Sequence, residues 1–328
     1  MTLPAEAADA LLEASVVGSF SRIGLLVRSR LLPEFTTAVP ETLEGRRVVI
    51  TGATSGIGYA AATGLARLGA AVHFLARDPA RAASARQRIC ATSGSQRISY
   101  GVADLDDPGS VRAFAAEYLS AHDRLDVLIH NAGAIHPSYR ADDTGTELTV
   151  AGQVVAPFLL TSLLLPALLA AGHSRVITVS SAGMYTQRLD PATLQMPASG
   201  YRGATAYARA KRAQVALSRE WARRLAGTGV ACHAMHPGWV DTPGIAAALP
   251  RFHRAMRPLL RTPRQGADTI IWLAAADPAR LGSGRFWHDR RPRAESRLPG
   301  TREAPTAARV LWEHIESSQR RSAGTRRD

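Results

Sequence analysis

A tyrosine and a lysine, Tyr207 and Lys211, lie four positions apart within a predicted helix, 205–226. Residues with this spacing lie on one face of a helix. A phenol has a pKa near 10 and is a poor base at neutral pH, but a nearby ammonium favours the phenolate and lowers that pKa. The pair could therefore exchange a proton with a substrate oxygen, a step that contributes roughly 10²–10⁴-fold to a rate.

Lys211 is the only lysine in the chain: Lys and Arg together number 40, and the other 39 are arginine. An ammonium is compact, has three rotatable donors and can release a proton, whereas a guanidinium does not deprotonate in proteins. We therefore expect that this position requires an amine. The alternative is that the lysine survives by chance on a solvated helix face beside Arg209 and Arg212.

A glycine-rich segment follows the first predicted strand and opens a helix. Gly52, Gly56 and Gly58 form the array T-G-x-x-x-G-x-G, with Ser55 and Ile57 between them. Such glycines let the backbone turn tightly and approach a pyrophosphate, which helix N-terminal amides then face. The Lys-Ser/Thr ending of a P-loop is absent from this segment, which argues against phosphoryl transfer. We predict a dinucleotide site that includes these five residues.

The end of the second predicted strand bears on the choice of dinucleotide. An acidic residue there would bind a ribose diol, and an arginine suits a 2′-phosphate. The sequence reads Arg77 and then Asp78. Asp78 fits a helix N-cap before Pro79, which leaves Arg77 to bind phosphate. We predict NADP as the cofactor, with NAD as the alternative because of Asp78.

Polar and small residues also end the third, fourth and fifth predicted strands. Asp104 and Leu105 follow the third, Asn131, Ala132 and Gly133 follow the fourth, and Ser181 follows the fifth. In open α/β sheets, ligands bind outside the carboxyl ends of the strands. We therefore expect all of these residues to line one cleft.

The elements that position these residues alternate along the chain. Short apolar strands rich in β-branched residues alternate with helical patterns, which indicates parallel βαβ units covered on both faces. We predict an α/β fold with a doubly wound, Rossmann-like parallel sheet and helices on both faces. The predicted strands are 46–51, 70–76, 98–103, 125–130, 174–180, 229–235 and 284–288. The predicted helices between them are 52–68, 79–90, 107–121, 145–171, 205–226 and 264–276.

Two appendages flank one predicted domain. We divide the chain into an N-terminal helical extension (1–45), a dinucleotide-binding and catalytic domain (46–300), and a C-terminal region (301–328) with a helix over 305–318 and a disordered basic tail over 320–328. An apolar stripe at helical spacing predicts one helix over 8–32: Leu12, Val16, Phe20, Ile23, Val27 and Leu31. This helix either packs on the domain or contacts a membrane surface with the help of Arg22, Arg28 and Arg30.

Taken in order, these motifs resemble the short-chain dehydrogenase/reductase family over about residues 46–290. The motifs are TGxxxGxG, NAG, a strand-end serine, Tyr-x-x-x-Lys and HPGWVDT (236–242). The resemblance implies that Ser181 binds the substrate oxygen, Tyr207 transfers the proton, and Lys211 also holds the nicotinamide ribose. It further implies that Pro237, Gly238, Val240 and Thr242 contact the cofactor. Segments such as SVVGSFSRIG and GRFWHDRRP resemble one branch of the family.

Two positions depart from the family pattern. The family commonly has an asparagine whose backbone holds a proton-relay water, and Gln153 stands at the matching place. If the relay needs asparagine, turnover is slow or absent, and the chain is an NADPH-binding sensor or scaffold instead. His130 replaces the first residue of the usual NNAG, and we interpret it as a structural substitution rather than a catalytic acid.

The resemblance implies a hydride transfer between NADP and a carbonyl or alcohol. The long segment 182–206 and the apolar segment 245–262 are predicted lids, and they suit a bulky or lipid-like substrate. The family often assembles through the helix that bears Tyr207 and the long helix before the fifth strand, so a homo-oligomer is expected.

Composition limits the remaining classes of function. The net charge is +13, but the arginines are scattered and aromatic residues make up only 6%, so nucleic-acid binding is not predicted. Cys90 and Cys232 are far apart and indicate neither a disulfide nor a metal site. Since a secretory pattern and an apolar run of about 18–20 residues are not found, we expect a cytoplasmic protein, with contact of 8–32 with a membrane surface as the alternative.

Overall fold

A computed structural model describes residues 3–36 and 42–324 of the chain. Its strands form one eight-stranded sheet in the order β3-β2-β1-β4-β5-β6-β7-β8. Their bounds are β1 Arg47–Thr51, β2 Ala71–Ala76, β3 Ile98–Val102, β4 Val127–His130, β5 Ser174–Val179, β6 Val230–Met235, β7 Phe286–His288 and β8 Arg291–Pro292. Neighbouring strands are parallel from β3 to β7. The predicted doubly wound parallel sheet is confirmed.

The strand order reverses between β1 and β4, and this reversal positions the site. β1 pairs with β2 on one side and with β4 on the other. The loops that leave these two strands therefore diverge and open a crevice at the carboxyl edge of the sheet.

Helices cover both faces of the sheet. Their bounds are α1 Leu3–Ala14, α2 Val16–Phe20, α3 Arg22–Leu31, α4 Pro33–Thr36, α5 Gly56–Arg67, α6 Pro79–Ser93, α7 Pro108–Ala121, α8 Leu148–Val150, α9 Ala156–Ala170, α10 Gly203–Arg224, α11 Pro243–Ala248, α12 Pro250–Met256, α13 Pro263–Ala275, α14 Pro278–Leu281 and α15 Ala307–Gly324. One apolar core lies between the sheet and helices α7, α9, α10 and α15. A second lies between the sheet and helices α5, α6 and α13.

The predicted strands follow the structure closely because most of them are buried apolar runs. The sequence pattern missed β8, a two-residue strand that pairs antiparallel with β7. A two-residue strand is too short to show alternation. The turn between them contains Asp289 and Arg290, both with positive φ (52° and 59°).

The predicted single helix over 8–32 is wrong. The chain forms α1, α2 and α3 there, because Ser15 and Ser21 have extended backbone and interrupt the helix. The side chain of Ser15 accepts from Gly18 N and caps α2. A Cβ on Gly24 would lie 1.8 Å from Gly18 O, so α2 and α3 pack closer than any larger residue allows.

The long helix before β5 differs from the prediction in one detail. Residues Ala151–Val155, between α8 and α9, form a π-helix, a feature often found at functional sites. The span Leu148–Ala170 is long and apolar enough to cross a membrane by length and composition. Much of it is nevertheless buried against α7, α10 and α15 in the core.

The C-terminal helix also extends beyond the prediction of 305–318. It continues to Gly324, so it includes part of the predicted disordered tail. Trp312 packs against Trp221 of α10 and Phe158 of α9, with ring centroids 4.5 and 4.6 Å away. The rest of the tail lies outside the described residues.

Candidate active site

Tyr207 and Lys211 lie on one face of α10, below the end of β5. The Lys211 ammonium donates to Val179 O and Gln214 Oε1, both at 3.0 Å. Its Nζ lies 5.4 Å from the centroid of the Tyr207 ring. Ser181 acts to lower the pKa of the Tyr207 phenol, and Ser180 Oγ donates to Lys211 O at 2.9 Å. Strand β5 and helix α10 therefore hold a serine, a phenol and an amine together.

Burial dominates the ionisation of this pair. It lowers the pKa of the Lys211 ammonium to about 7. It raises the pKa of the Tyr207 phenol, while Ser181 acts in the opposite direction. In the folded chain the pKa of the Tyr207 phenol is therefore raised, whereas we expected Lys211 to lower it. The reason is that removing both groups from water disfavours both charged forms.

Two adjoining clefts lie along the carboxyl edge of the sheet. The larger cleft has a volume of about 600 Å³ and contains Ser181, Tyr207 and Lys211. The smaller cleft, of about 370 Å³, contains Arg77 and Asp104. Both are lined by Gly52, Thr54 and residues 132–134, so together they form one elongated groove.

The turn after β1 is fixed where the two clefts meet. Gly52 has φ +72°, and a Cβ on it would lie 2.9 Å from Ala132 Cα. A Cβ on Gly58 would lie 2.2 Å from Gly52 O. Asn131 Nδ2 donates to Thr51 O and Gly52 O at 3.0 and 3.1 Å. The backbone at the start of α5 is therefore accessible from the groove, which is what a bound pyrophosphate requires.

The smaller cleft has a basic rim. Arg77 is mostly exposed and its Nη1 lies 4.0 Å from Asp104 Oδ2. Arg81, which lines the same cleft, was not among the predicted residues. Asp78 caps α6 and accepts from Arg81 N at 2.9 Å. The carboxylate is thus engaged by the helix, and the two guanidiniums remain at the cleft.

Apolar side chains and the loop after β6 line the far end of the larger cleft. Pro237, Gly238, Val240 and Thr242 lie there, as do Ile245, Ala247, Ala248 and Phe252 of helices α11 and α12. Of the two predicted lids, only 245–262 contributes to the described lining. The segment 182–206 packs elsewhere: its Met184 and Tyr185 are buried beside Phe20 of α2.

Gln153 lies in the π-helical turn and reaches the smaller cleft. Its Nε2 donates to Ala134 O at 2.7 Å, and its main-chain carbonyl accepts from Gln214 Nε2 at 2.6 Å. Its Oε1 is buried and has no hydrogen-bond partner. The sequence raised the idea that this carbonyl holds a relay water; in the structure a protein amide binds it.

The N-terminal extension supports the loop after β6. Phe20 O accepts from Trp239 N at 2.8 Å. Arg261 Nη1 donates to Pro237 O at 3.2 Å and to Asp289 Oδ1 at 2.5 Å. Arg28 of α3 donates to Asp289 Oδ2 at 2.8 Å. Because these contacts join α3, the loop and the turn after β7, the extension belongs to the framework of the larger cleft.

A family model matches the part of the chain that carries most of this groove. The model described as "short chain dehydrogenase" matches residues 46–250. The chain belongs to the short-chain dehydrogenases. As a member, it is an oxidoreductase that acts on CH–OH or C=O groups.

Relatives agree with this membership. The chain is 40% identical over 290 residues to dehydrogenase/reductase SDR family member 12 of Bos taurus, covering 86% of this chain and 90% of the relative. This is the branch that the segments near Phe20 and Trp287 resemble. The chain is also 37% identical over 295 residues to retinol dehydrogenase 14 of Mus musculus, covering 84% of this chain and 86% of the relative.

A solved structure with cofactor is also similar. It is described as an NAD(P)-dependent gluconate 5-dehydrogenase from Beutenbergia cavernae with bound NADP at low occupancy. The TM-score is 0.62 at 30% identity, with 76% of this chain and 97% of that chain covered.

The predicted site residues of this short-chain dehydrogenase all line the groove. The larger cleft contains Gly52, Ser55, Gly56, Ile57, Gly58, Asn131, Ala132, Gly133, Ser181, Tyr207, Lys211, Pro237, Gly238, Val240 and Thr242. The smaller cleft adds Arg77, Asp104, Leu105 and Gln153. Their roles stay predictions, although their convergence fits a bound dinucleotide.

Sequence reasoning missed Arg81, Gln214 and Arg261. Gln214 stands three positions after Lys211 on α10, so helical spacing was an available signal. Arg81 lies in the first turn of α6, close in sequence to Arg77, so its position was a weaker signal. No sequence signal pointed to Arg261, because its partners lie far along the sequence.

His130 is buried, and its Nε2 lies 2.7 Å from Thr161 Oγ1. Burial, together with the nearby Lys211 charge, lowers the pKa of His130 to about 3. A histidine that stays neutral at physiological pH and faces a threonine favours the structural interpretation over the catalytic one.

Proposed function

We propose that this short-chain dehydrogenase is an NADP(H)-dependent oxidoreductase that transfers a hydride between the cofactor and the carbonyl or alcohol group of a bulky, apolar substrate. The observation that carries the proposal is the placement of the only lysine of the chain. Lys211 is buried beside Tyr207 where the larger cleft meets the turn after β1. A solvated surface lysine would not occupy such a position.

The three side chains have distinct proposed roles. Ser181 and the Tyr207 hydroxyl hydrogen-bond the substrate oxygen, and Tyr207 exchanges the proton with it. Lys211 orients the nicotinamide ribose and the phenol. A bound nicotinamide dinucleotide would supply or accept the hydride. Since burial raises the pKa of Tyr207, the phenol is neutral near pH 7 and suited to donate a proton, which favours carbonyl reduction.

A preference for NADP over NAD is supported at the smaller cleft. Arg77 and Arg81 line it, and guanidiniums bind phosphate through paired N–H groups. Asp78, the carboxylate that would suit the NAD ribose, caps α6 instead.

A bulky substrate is supported by the apolar side of the larger cleft. Trp239, Ile245 and Phe252 line it, and the Trp239 and Phe252 rings contact each other edge to face at 5.4 Å. The retinol dehydrogenases among the relatives carry the name of a lipid-like alcohol. We therefore infer a large apolar alcohol or its carbonyl counterpart as the substrate class.

The alternative is a protein that binds NADPH as a sensor or scaffold and turns over little. One observation favours it: Gln214 already occupies the Gln153 carbonyl, the atom that the family uses for its relay water. The alternative predicts dinucleotide binding without turnover.

We also propose a peripheral membrane contact for an otherwise cytoplasmic protein. Large apolar side chains of α1–α3 are exposed beside the basic Arg22 and Arg30, which is typical of helices that lie at a membrane surface. These side chains are Leu11, Val16, Val17, Ile23, Leu26 and Leu31. Arg28, which the sequence suggested as a third basic contact, is buried.

A homo-oligomer stays a prediction. Trp312 of α15 packs on Phe158 of α9 and Trp221 of α10, the two helices through which the family often assembles. We infer that an assembly of this chain uses another surface. A basic nucleic-acid surface is not part of the proposal.

The test is turnover and binding in a Tyr207→Phe variant. Purified protein is incubated with NADPH and aldehydes, ketones, retinals and steroids, and NADPH absorbance and fluorescence are followed. We expect wild-type turnover and a loss of about 10²–10⁴-fold in Tyr207→Phe, with NADPH binding retained. Tyr59→Phe is the control, because the Tyr59 hydroxyl contacts Thr92 outside the groove. Binding without wild-type turnover on any substrate would favour the sensor.

A further inference from the structure

Gln214 makes two hydrogen bonds through one buried carboxamide. Its Nε2 donates to Gln153 O at 2.6 Å, and its Oε1 accepts from Lys211 Nζ at 3.0 Å. The orientation of the amide is determined by its partners, because an ammonium only donates and a carbonyl only accepts. Gln214 is 3% exposed, so water competes little for either bond. The side chain therefore joins the π-helical turn directly to the lysine.

This connection restricts the lysine in two directions. Val179 O holds Lys211 Nζ from the end of β5, at 3.0 Å, and Gln214 holds it from the next turn of α10. A protonated lysine has three N–H donors, so one remains for the larger cleft, which Lys211 lines. Two neutral acceptors on different elements thus determine where the third N–H points.

We propose that Gln214 is a positioning residue, which fixes the Lys211 ammonium and binds the Gln153 carbonyl in place of a water. This inference rests on the proposed function, since it matters for catalysis only if Lys211 serves Tyr207 and the cofactor. Gln214 itself does not contact the substrate: it lies behind Lys211, beside a small apolar space that also contains His130 and Ser218.

The bridge also determines on which side Lys211 exchanges protons. A neutral carboxamide does not titrate near pH 7, so the Gln153 carbonyl offers no proton exit through Gln214. On the opposite side, Gln153 Oε1 and Lys211 Nζ each lie 3.0 Å from the position of a Cβ on Gly133. Gln153 Oε1 is buried and unpartnered. Lys211 therefore exchanges its proton toward the groove, along the Gly133 side.

Few titratable groups face Lys211, so its ionisation reports on this bridge. Tyr207 of the same helix faces it from one turn away, and His130 of β4 interacts with it electrostatically. Burial keeps both of them neutral near pH 7. Its hydrogen-bond acceptors, Val179 O and Gln214 Oε1, are uncharged.

The sequence provides a direct readout. Because Lys211 is the only lysine, protein labelled with ¹³C at lysine Cε gives one side-chain signal, whose pH titration measures the pKa of this amine without any substrate. The variants are Gln214→Met, which removes both hydrogen bonds at similar volume, and Gln214→Glu. Ser218→Ala, one helical turn further along α10, is the matched control. Thermal unfolding checks that each variant folds.

We expect the wild-type amine to titrate near pH 7. Loss of an acceptor destabilises the ammonium, so Gln214→Met lowers the pKa; a carboxylate stabilises it, so Gln214→Glu raises the pKa by more than about one unit. Ser218→Ala leaves it unchanged. With an active substrate, kcat of Gln214→Met falls about tenfold or more, and the pH dependence of kcat moves with the amine pKa.

Two results would overturn the proposal. One is a folded Gln214→Met protein with an unaltered Lys211 titration and normal kcat. The other is an equal shift in Ser218→Ala, which would reflect general packing of α10. Failure of the wild-type protein to turn over any carbonyl or alcohol would count against the proposed function, while the titration would still test the bridge.

Discussion

The loop after β6 at the larger cleft is held by buried charges, whereas the arginines at the smaller cleft extend into solvent. Arg28 and Arg261 are each 1% exposed and meet at Asp289. The Arg77 side chain is 72% exposed and has one carboxylate 4.0 Å away. The loop at the larger cleft is thus fixed within the fold, whereas the Arg77 side chain of the smaller cleft projects from its surface.

The difference has a physical reason. Proton and hydride transfer require reacting atoms held in one geometry, which buried and mutually hydrogen-bonded groups provide. Binding a phosphate requires charge more than rigidity, and exposed surface arginines supply it. Substitutions at the two ends should therefore affect different properties: stability at the larger cleft, and cofactor affinity at the smaller.

The largest effect is expected from Asp289→Asn. This change leaves Arg261 buried without its carboxylate, and breaking a buried charge pair costs about 3–5 kcal/mol. We expect the free energy of unfolding, measured with denaturant, to fall by that amount. Glu44→Gln is the control, because the Glu44–Arg97 pair is exposed and screened by solvent. Equal stability of Asp289→Asn and wild type would remove the distinction between the two ends.

The same substitution should also change how the free energy of unfolding depends on pH. Burial alone would raise the pKa of Asp289, but Arg261, His288 and Arg28 outweigh it and hold this pKa well below its usual value. A carboxyl with a depressed folded pKa adds stability above its unfolded pKa of about 3.9, and this is lost as pH falls. Wild-type stability should therefore decline below about pH 4–5, and Asp289→Asn should show a shallower decline.

The sequence predicted the residues that line the groove better than the framework that supports the larger cleft. Gly52, Arg77 and Asn131 follow strands that are visible as apolar runs, so their convergence follows from the topology of a parallel sheet. Lys211 was found by its spacing from Tyr207. Apolar runs and helical spacing are patterns formed by neighbouring residues, so they can be recognised from the sequence alone.

The framework depends on contacts between distant residues. Arg28 and Asp289 are 261 positions apart, and no local pattern distinguishes a buried arginine from the many surface arginines of a +13 chain. The breaks at Ser15 and Ser21 depend on how closely Gly18 and Gly24 approach. The proposed role of Gln214 depends on the π-helical turn, and no hydrophobic periodicity in the sequence identifies such a turn.

A smaller effect, confined to cofactor binding, is expected from Arg77→Ala and Arg81→Ala. Each hydrogen-bonded contact with a charged phosphate is worth about 1.5–3 kcal/mol, so the Kd for NADPH should rise roughly tenfold to hundredfold. The Kd for NADH and the melting temperature should not change. Arg86→Ala is the control on the same helix, since Arg86 binds Ile98 O away from the cleft. Equal losses of NADPH and NADH in calorimetry would reverse the assignment of NADP.

The smallest effect on the fold is expected on the outer face of the N-terminal extension, whose inner face carries Arg28. Leu11 and Ile23 are 74% and 51% exposed, so Leu11→Ser with Ile23→Ser should change stability by no more than about 0.5 kcal/mol. If this face contacts membranes, the double variant should lose co-flotation with vesicles containing anionic lipid, whereas Leu298→Ser, also at an exposed site, should retain it. Equal flotation of the wild type and both variants would show that the extension supports the larger cleft and does not contact membranes. A selective loss would mean that one short segment has two roles: its buried residues contact the loop after β6, and its exposed apolar residues contact lipid.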